Sequence, residues 1–327
     1  MEIENFTEFK KRFYSRVSDF SIFDCSEFNL LKIVLDGLRT NYSGKGRIIP
    51  YLFFPLFVYN FFLKLKRKNR FSINSISNKL SSFRGKKNLI VDIVRIQKDE
   101  NGNYVSLYFY HFYKKLNNYV SISDTPFRSD FYYYDFTLRE VLDIFYYEEL
   151  DETDIKLRDE LLKSFSTIKK SDLFNGKELK NIQIAIHLFF NEYRACNRIL
   201  KIISPQQCFF LCHYQKEGMI LAMKRNKVKT IELQHGLIAP EDIFYMFPNV
   251  IKPIRERALF ANEIWVYGKF WKERLLKGAE YTDQQIKLFG YYLLADKQTP
   301  ALVNDKLKKL KHNKKVILIT TQTNLHR

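Results

Sequence analysis

The chain has 327 residues, of which 46% are hydrophobic and 16% aromatic, so it can bury a large core and is not disordered as a whole. Its 54 Lys and Arg residues against 36 Asp and Glu give a formal net charge of +18, which suits nucleic acid, an anionic membrane or phosphorylated substrates such as nucleotide sugars. The four cysteines have no paired CxxC spacing, and no signal peptide opens the chain, so we predict reduced, buried thiols and a cytoplasmic protein.

Residues 1–87 are predicted to form a helical extension. Apolar residues recur at three- and four-residue spacings over Phe6–Phe20 and Phe28–Leu38. The apolar stretch Ile48–Leu63 contains two prolines and is too short for a comfortable membrane span. Because the basic run Lys64–Arg70 follows at once, two interpretations stay open: a helix buried in the core, or an in-plane contact with a membrane.

The next part of the chain mixes strands and helices. Asn88–Ile96 is predicted to be a strand, paired with Tyr104–Phe112 across an Asn-Gly-Asn turn. Thr137 and Glu140 form a capping-box pattern ahead of a helix that runs to about Tyr147. A long helix is predicted over Leu179–Ile203.

From residue 206 the pattern becomes regular. Strand-like and helix-like runs alternate twice, in the order QQCFFLCHY, KEGMILAMKRNK, VKTIEL, and then EIWVYG, KFWKERLLKG, IKLFGY. This alternation predicts a β-α-β unit extended into an open parallel sheet. We therefore assign residues 88–294 to a Rossmann-like α/β domain.

The last residues predict a linker and the beginning of a second domain. Residues 295–312 are polar, with a short basic helix over Asp305–Leu310, and we interpret them as a linker. Residues 313–327 contain an apolar strand followed by a polar loop. Because one strand cannot bury both of its faces alone, we expect a second α/β domain that this chain only begins.

The candidate site follows the strand VKTIEL, at Glu232-Leu233-Gln234-His235-Gly236. Ligands of parallel sheets gather beyond the carboxyl ends of strands. His235 can act as a general base toward a sugar hydroxyl, with Glu232 as the next catalytic candidate. Gln234 can hold a hydroxyl or a phosphate oxygen, and Gly236 permits a tight turn or close approach of a ligand. A purely structural histidine at a strand end remains the alternative.

An ordered set of motifs surrounds this turn. The set consists of IELQHGLI at 231–238, an aromatic-proline stretch at 244–248, EIWVYGKFWKE at 263–273, IKLFGYY at 286–292 and KKVILITTQ at 314–322. In this order the motifs resemble those of a group of bacterial capsule and lipopolysaccharide glycosyltransferases of the GT-B type. The first 200 residues carry no comparable likeness.

The resemblance implies two facing Rossmann-like domains, the first binding mostly the acceptor and the second mostly the nucleotide-sugar donor. It implies transfer of a sugar to a lipid-linked or oligosaccharide acceptor of a surface polysaccharide, without a bound metal or other cofactor. A more distant similarity to polyol-phosphate transferases is the alternative. Because most of the second domain is missing from the family pattern, we expect this chain alone to bind nucleotide sugars weakly.

Other residues are weaker candidates for substrate binding. His213 and Tyr214 also end a strand, beside the strand that leads to His235, and a capping role is the alternative. Gly268 opens the turn before a helix, where ordinary turn geometry also explains it. Gln322 follows the last strand, where a phosphate loop of the second domain would begin.

Two functions from other classes compete with this interpretation. The charge alone suggests a protein that binds nucleic acid or an anionic membrane, and the unfinished second domain suggests a non-catalytic remnant. We expect no nucleic-acid partner, because zinc-finger, KH and RRM signatures are missing. The predicted location is cytoplasmic, with peripheral attachment to the inner membrane through Tyr51–Leu63 and Lys64–Arg70 as a further option.

Overall fold

The structure is a computed structural model that describes residues 6–40, 49–67, 78–93, 96–98, 104–123, 135–137 and 148–290. Four predictions fall outside these residues. They are the helix ending near Tyr147, the linker at 295–312, the strand at 313–327, and the placement of Gln322.

The strands fall into one large sheet and one small hairpin. The strands are β1 (Asn88–Asp92), β2 (Ile96–Lys98), β3 (Tyr104–Ser106), β4 (Tyr119–Ser123), β5 (Phe136–Thr137), β6 (Gln207–Leu211), β7 (Lys229–Leu233), β8 (Glu263–Val266) and β9 (Ile286–Leu288). The α-helices are α1 (Phe6–Arg16), α2 (Leu31–Arg39), α3 (Leu56–Arg67), α4 (Tyr110–Lys115), α5 (Glu152–Lys170), α6 (Gly176–Ile203), α7 (Glu217–Arg225) and α8 (Lys269–Leu275). Short 3₁₀ turns cover Phe20–Phe23, Tyr51–Phe53, Asn249–Ile254 and Asp283–Gln285.

The large sheet is parallel throughout, in the order β5-β4-β1-β6-β7-β8-β9. Six of its strands have three or more residues, and β5 adds two residues at one edge. The chain moves outward from β1 through β4 to β5, then returns to the other side of β1 and continues from β6 to β9. This is the order of a doubly wound, Rossmann-like sheet, and it confirms the predicted α/β class.

The second half of the sheet follows the sequence prediction closely. The unit β6-α7-β7 is a parallel β-α-β unit, and β8, α8 and β9 extend it. The long helix is confirmed as α6. It begins at Gly176, earlier than predicted, because Asn175 and Glu178 form a capping box there.

The prediction for Asn88–Ile96 was only partly correct. β1 occupies Asn88–Asp92, but it pairs in parallel with β4 and β6 and not with Tyr104–Phe112. The antiparallel hairpin is instead the short pair β2–β3, and residues from Tyr110 onward are helical. Every residue of β1 is buried, as expected for a central strand covered on both faces. The predicted antiparallel hairpin would instead suit a strand with one exposed face, so the pairing of Asn88–Ile96 with Tyr104–Phe112 was wrong.

The helical extension and the sheet share one hydrophobic core. α2 and α7 both pack against the long helix α6, which covers one face of the sheet. Residues from α1 and α2, such as Phe13 and Val34, lie in the same buried cluster as Val91 of β1 and Phe210 of β6. On the other face, Phe112 of α4 packs against Phe209, which also contacts Trp265.

Residues 49–63, the described part of the apolar stretch, have two faces in different surroundings. They contain the 3₁₀ turn at Tyr51–Phe53 and most of α3. Tyr59 and Leu63 are fully buried, whereas Phe57 and Phe61 are exposed. Within the described ranges, none of the helices combines the length and the apolar character needed to cross a bilayer.

Candidate functional site

A cavity of about 240 Å³ opens where the direction of strand progression reverses. β1 and β6 are neighbours in the sheet, but the connections that leave them run to opposite sides, so their carboxyl ends form a crevice. Ligands of doubly wound sheets bind in this crevice. The lining residues come from the ends of β1, β6 and β7 and from the segment after β3: Ile93, Tyr108, Leu211, Cys212, Tyr214, Gln215, Lys216 and His235.

His235 reaches this cavity from the turn after β7, and it is half-buried. Its Nε2 atom lies 3.5 Å from the hydroxyl oxygen of Tyr214, at the outer limit of hydrogen bonding. The Tyr108 hydroxyl donates to the His235 backbone carbonyl at 2.9 Å. The sequence prediction thus placed His235 and Tyr214 correctly at one edge of the sheet, and the structure brings them together.

Tyr214 is itself held by an aromatic neighbour. Its ring stacks on that of Phe244, with 4.7 Å between ring centroids and 27° between planes. Burial, followed by the nearby Cys212 thiol, raises the pKa of the Tyr214 hydroxyl. The phenol therefore remains protonated and can donate a hydrogen bond to His235 or to a bound hydroxyl.

Gln234 lies next to His235 in the chain but does not line the cavity. Its side-chain Nε2 donates to the Gly236 carbonyl at 2.8 Å, and its Oε1 accepts from the Tyr267 backbone N–H at 2.9 Å. Both ends of the amide are therefore used to fix the turn after β7 against the end of β8. Gln234 therefore braces the turn that carries His235, and its contact with substrate stays a prediction.

Gly236 follows His235 with space around it. Its φ is not in the left-handed region, and a Cβ built there meets no atom within 4 Å. A left-handed backbone is therefore not the reason for a glycine at this turn. Close approach of a ligand stays a prediction. Gly268, at the start of α8, has extended backbone and equally open surroundings.

Glu232 and His213 form a buried pair beneath the site. His213 Nδ1 lies 2.7 Å from a Glu232 carboxylate oxygen, and its Nε2 lies 2.7 Å from the Phe244 carbonyl oxygen. Because both ring nitrogens face acceptors, the geometry fits a protonated imidazole ion-paired with the carboxylate. Neither side chain is exposed, so these two predicted site residues lie behind the cavity and not in it.

The Glu232 carboxylate has further donors. The hydroxyls of Tyr245 and Tyr281 and the backbone N–H of His213 all donate to it. Burial alone would raise the pKa of Glu232, but the charge and hydrogen bond of His213 and the Tyr245 hydroxyl outweigh it and hold the pKa at about 2. Glu232 is thus charged at neutral pH, and its low pKa and lack of exposed surface make it a poor base there.

Two more buried carboxyls surround this pair. Glu280 Oε1 lies 3.4 Å from His213 Nδ1, and burial beside Glu232 raises the pKa of Glu280 well above its usual range. Glu217 lies 3.4 Å from Nζ of Lys32, whose amine also donates to the Leu259 carbonyl. Lys32 belongs to α2, so the amino-terminal helices take part in the electrostatic support of the site.

The loop between β6 and α7 has an unusual backbone. Cys212 and Gln215 both adopt left-handed φ, at 58° and 60°. Such conformations in non-glycine residues are uncommon and cluster at functional sites. In the first turn of α7, the Gly218 backbone N–H already has a protein acceptor, since it donates to the Glu192 carboxylate of α6 at 2.9 Å. Burial raises the pKa of Glu192 to about 8.

Sequence reasoning missed several residues of the cavity. Tyr108 was placed in a strand, and Ile93, Cys212, Gln215 and Lys216 were not singled out. Position after a strand end was a usable signal for Ile93 and for residues 212–216. No local signal marks Tyr108, because its contact with His235 spans 127 positions of the chain.

The described part of the chain contains no group of three or more His, Cys, Asp and Glu side chains that could hold a metal ion. All four cysteines are buried and free, as predicted. In comparisons with protein-family models, curated proteins and solved structures, nothing matched the chain.

Proposed function

We propose that residues 88–290 form the acceptor-side domain of a GT-B glycosyltransferase that moves a sugar from a nucleotide-sugar donor to a bacterial surface polysaccharide. The observation that carries the proposal is the cavity at the reversal of strand order, with His235 and Tyr214 side by side at its wall. This arrangement is that of a ligand site in a doubly wound sheet. The motif order around residues 231–292 supplies the glycosyltransferase class.

In this proposal His235 is the catalytic base. Its Nε2 lies at the cavity and next to a phenol, so it can accept the proton of an acceptor hydroxyl as that oxygen bonds to the anomeric carbon of the donor sugar. The bond from that carbon to the nucleotide phosphate breaks in the same step, and the nucleotide leaves with the bonding electrons. Tyr214 orients the imidazole or the acceptor. Catalytic hydrogen bonds are often long before substrate binds, so the 3.5 Å separation fits this role.

The residues behind the cavity have positioning roles. Glu232 holds His213 and Tyr245, and both of these rings contact Tyr214. Gln234 fixes the turn that presents His235. Donor binding is assigned by the resemblance to the region from residue 313 onward, which lies outside the described residues.

The test is sugar transfer by the natural full-length protein, with a panel of UDP-, GDP- and CMP-sugars and a membrane extract as the source of acceptor. His235→Gln should lower transfer by about 10²- to 10⁴-fold, as loss of a general base does. Tyr214→Phe should lower it less and should alter its pH profile. His111→Gln is the matched control, since His111 lies in α4 and does not line the cavity.

Two results would overturn the proposal. Transfer by His235→Gln within a fewfold of wild type, with an unchanged circular dichroism spectrum, removes His235 from the mechanism. No transfer by the wild-type protein from any of the three donor classes removes the glycosyltransferase assignment itself.

A further inference from the structure

Helix α3 presents an apolar face to solvent. Phe57 is 76% exposed, Phe61 58% and Leu65 47%, and the spacing of four residues places all three on one side of the helix. The opposite side is buried through Tyr59 and Leu63. Large side chains of this kind rarely stand in a row on a surface that contacts only water.

The sequence around α3 has an extreme charge bias. Between Asp36 and Asp92 there is no Asp or Glu. The same stretch carries twelve basic residues, namely Arg39, Lys45, Arg47, Lys64, Lys66, Arg67, Lys68, Arg70, Lys79, Arg84, Lys86 and Lys87. A partner of this stretch is therefore expected to be anionic as well as apolar.

We propose that α3 is an in-plane membrane anchor, with Phe57, Phe61 and Leu65 inserted at the acyl boundary of a bilayer rich in anionic phospholipid. The helix has 12 residues, or about 18 Å, which is far short of the roughly 30 Å of a bilayer core. Its buried side is fixed to the protein core, so only one face is available to lipid. An apolar face beside basic residues is the signature of such interfacial helices.

Lipid fits this face better than nucleic acid does. A surface that binds bases needs stacking rings together with hydrogen-bonding groups. The side chains of Phe57, Phe61 and Leu65 carry no hydrogen-bonding group, and Leu65 has no ring. Lys64, on the same helix, is exposed and forms a solvent-exposed ion pair with Glu149 at 3.1 Å. Exposed pairs of this kind contribute little to stability, so Lys64 can exchange its partner for a lipid headgroup.

The experiment is sedimentation of the full chain with vesicles of phosphatidylcholine, alone or mixed with phosphatidylglycerol. The wild-type protein should pellet with the mixed vesicles, and less so as salt rises, because each basic residue near the surface is attracted electrostatically. The double variant Phe57→Ser/Phe61→Ser should lower the partition constant at least tenfold. Phe270→Ser is the matched control, since Phe270 is 59% exposed on α8, and its partitioning should stay within twofold of wild type.

A second readout separates insertion from simple charge adsorption. All four native cysteines are buried, so a single Phe61→Cys substitution can be labelled selectively with an environment-sensitive dye. Its emission should shift to the blue with mixed vesicles, whereas a dye attached through Phe270→Cys should not respond.

Several outcomes would overturn the anchor. They are unchanged pelleting of a folded Phe57→Ser/Phe61→Ser variant, equal binding to neutral and mixed vesicles, and no emission shift at position 61. Tight RNA binding without vesicle pelleting would assign the basic stretch to nucleic acid instead. None of these results depends on sugar transfer.

Discussion

His213 Nδ1 lies 2.7 Å from Oε2 of Glu232, and neither side chain has any exposed surface. A buried ion pair of this kind is sensitive to loss of one partner, because the other charge is then left without compensation. His235, only three residues beyond Glu232, is half-buried at a cavity wall. The two histidines should therefore respond differently to the same substitution.

We predict that His213→Gln lowers the free energy of unfolding by about 3–5 kcal/mol, because it leaves the Glu232 carboxylate uncompensated. His235→Gln should lower it by less, because His235 is only half-buried at the cavity wall. Urea denaturation followed by circular dichroism measures both. Similar costs for the two variants would contradict the division into a buried histidine that supports the fold and a more accessible one at the cavity wall.

A second prediction concerns pH. The pKa of Glu232 is held at about 2, below the value of about 4.3 for an unfolded glutamate. A carboxyl with a depressed folded pKa stabilises the fold above its unfolded pKa, and that stabilisation is lost as the pH falls toward the folded value. Tyr245→Phe removes a donor to the charged form, at an expected cost of about 1.5–3 kcal/mol at pH 7.

Because the lost hydrogen bond matters most when Glu232 is charged, the cost of Tyr245→Phe should be constant near neutral pH and should shrink as the pH falls from about 4 toward about 2. Tyr59→Phe is the control, since its hydroxyl donates to the side-chain amide oxygen of Asn191. The destabilisation caused by Tyr59→Phe should not vary with pH. Denaturant unfolding at several pH values compares the two, and a pH-independent cost for Tyr245→Phe would show that Glu232 is not the group involved.

A third prediction compares two glycines. A Cβ on Gly218 would lie 2.4 Å from the Phe189 carbonyl oxygen and 2.7 Å from the Tyr193 backbone nitrogen. Gly218→Ala should force α7 away from α6 and destabilise the protein by about 1–3 kcal/mol, as overpacking does. Gly236→Ala meets no atom within 4 Å and should leave the melting temperature unchanged.

If a ligand approaches the turn after β7, Gly236→Ala should instead weaken binding or transfer while stability is preserved. Thermal unfolding and the transfer assay, applied to both variants, separate these effects. Equal melting temperatures for the two alanine variants would show that α6 and α7 can move apart at little cost.

The half of the sheet formed by the C-terminal strands β6 to β9 could be predicted from sequence, because neighbouring strands there are also close together in the chain. β6, α7 and β7 follow one another directly, so alternation of strand and helix patterns was sufficient. The position of His235 followed from the rule that parallel strands end at one edge. The cap formed by Asn175 and Glu178 was equally visible in the sequence, although the predicted helix started three residues late.

The roles within the site could not be predicted in the same way. Glu232 and His235 are both polar and lie near the same strand end, but only packing on both faces of β7 decides that Glu232 turns inward. Gln234 also turns inward, because its amide finds partners on both Gly236 and Tyr267. The placement of β1 between β4 and β6 depends on pairings between distant segments, for which the sequence contains no local pattern.

That central strand has a consequence for synthesis of the protein in the cell. Asn88 of β1 is joined to Gln207 of β6 by a hydrogen bond across 119 positions of the chain. At translation rates of about 5–20 residues per second, β1 is therefore synthesised roughly 6 to 24 seconds before β6, its second neighbour in the sheet. During that interval an apolar strand has one unpaired edge on the ribosome, and long-range parallel pairing of this kind is slow in any case. We therefore expect Asn88–Asp92 to need protection from aggregation during synthesis.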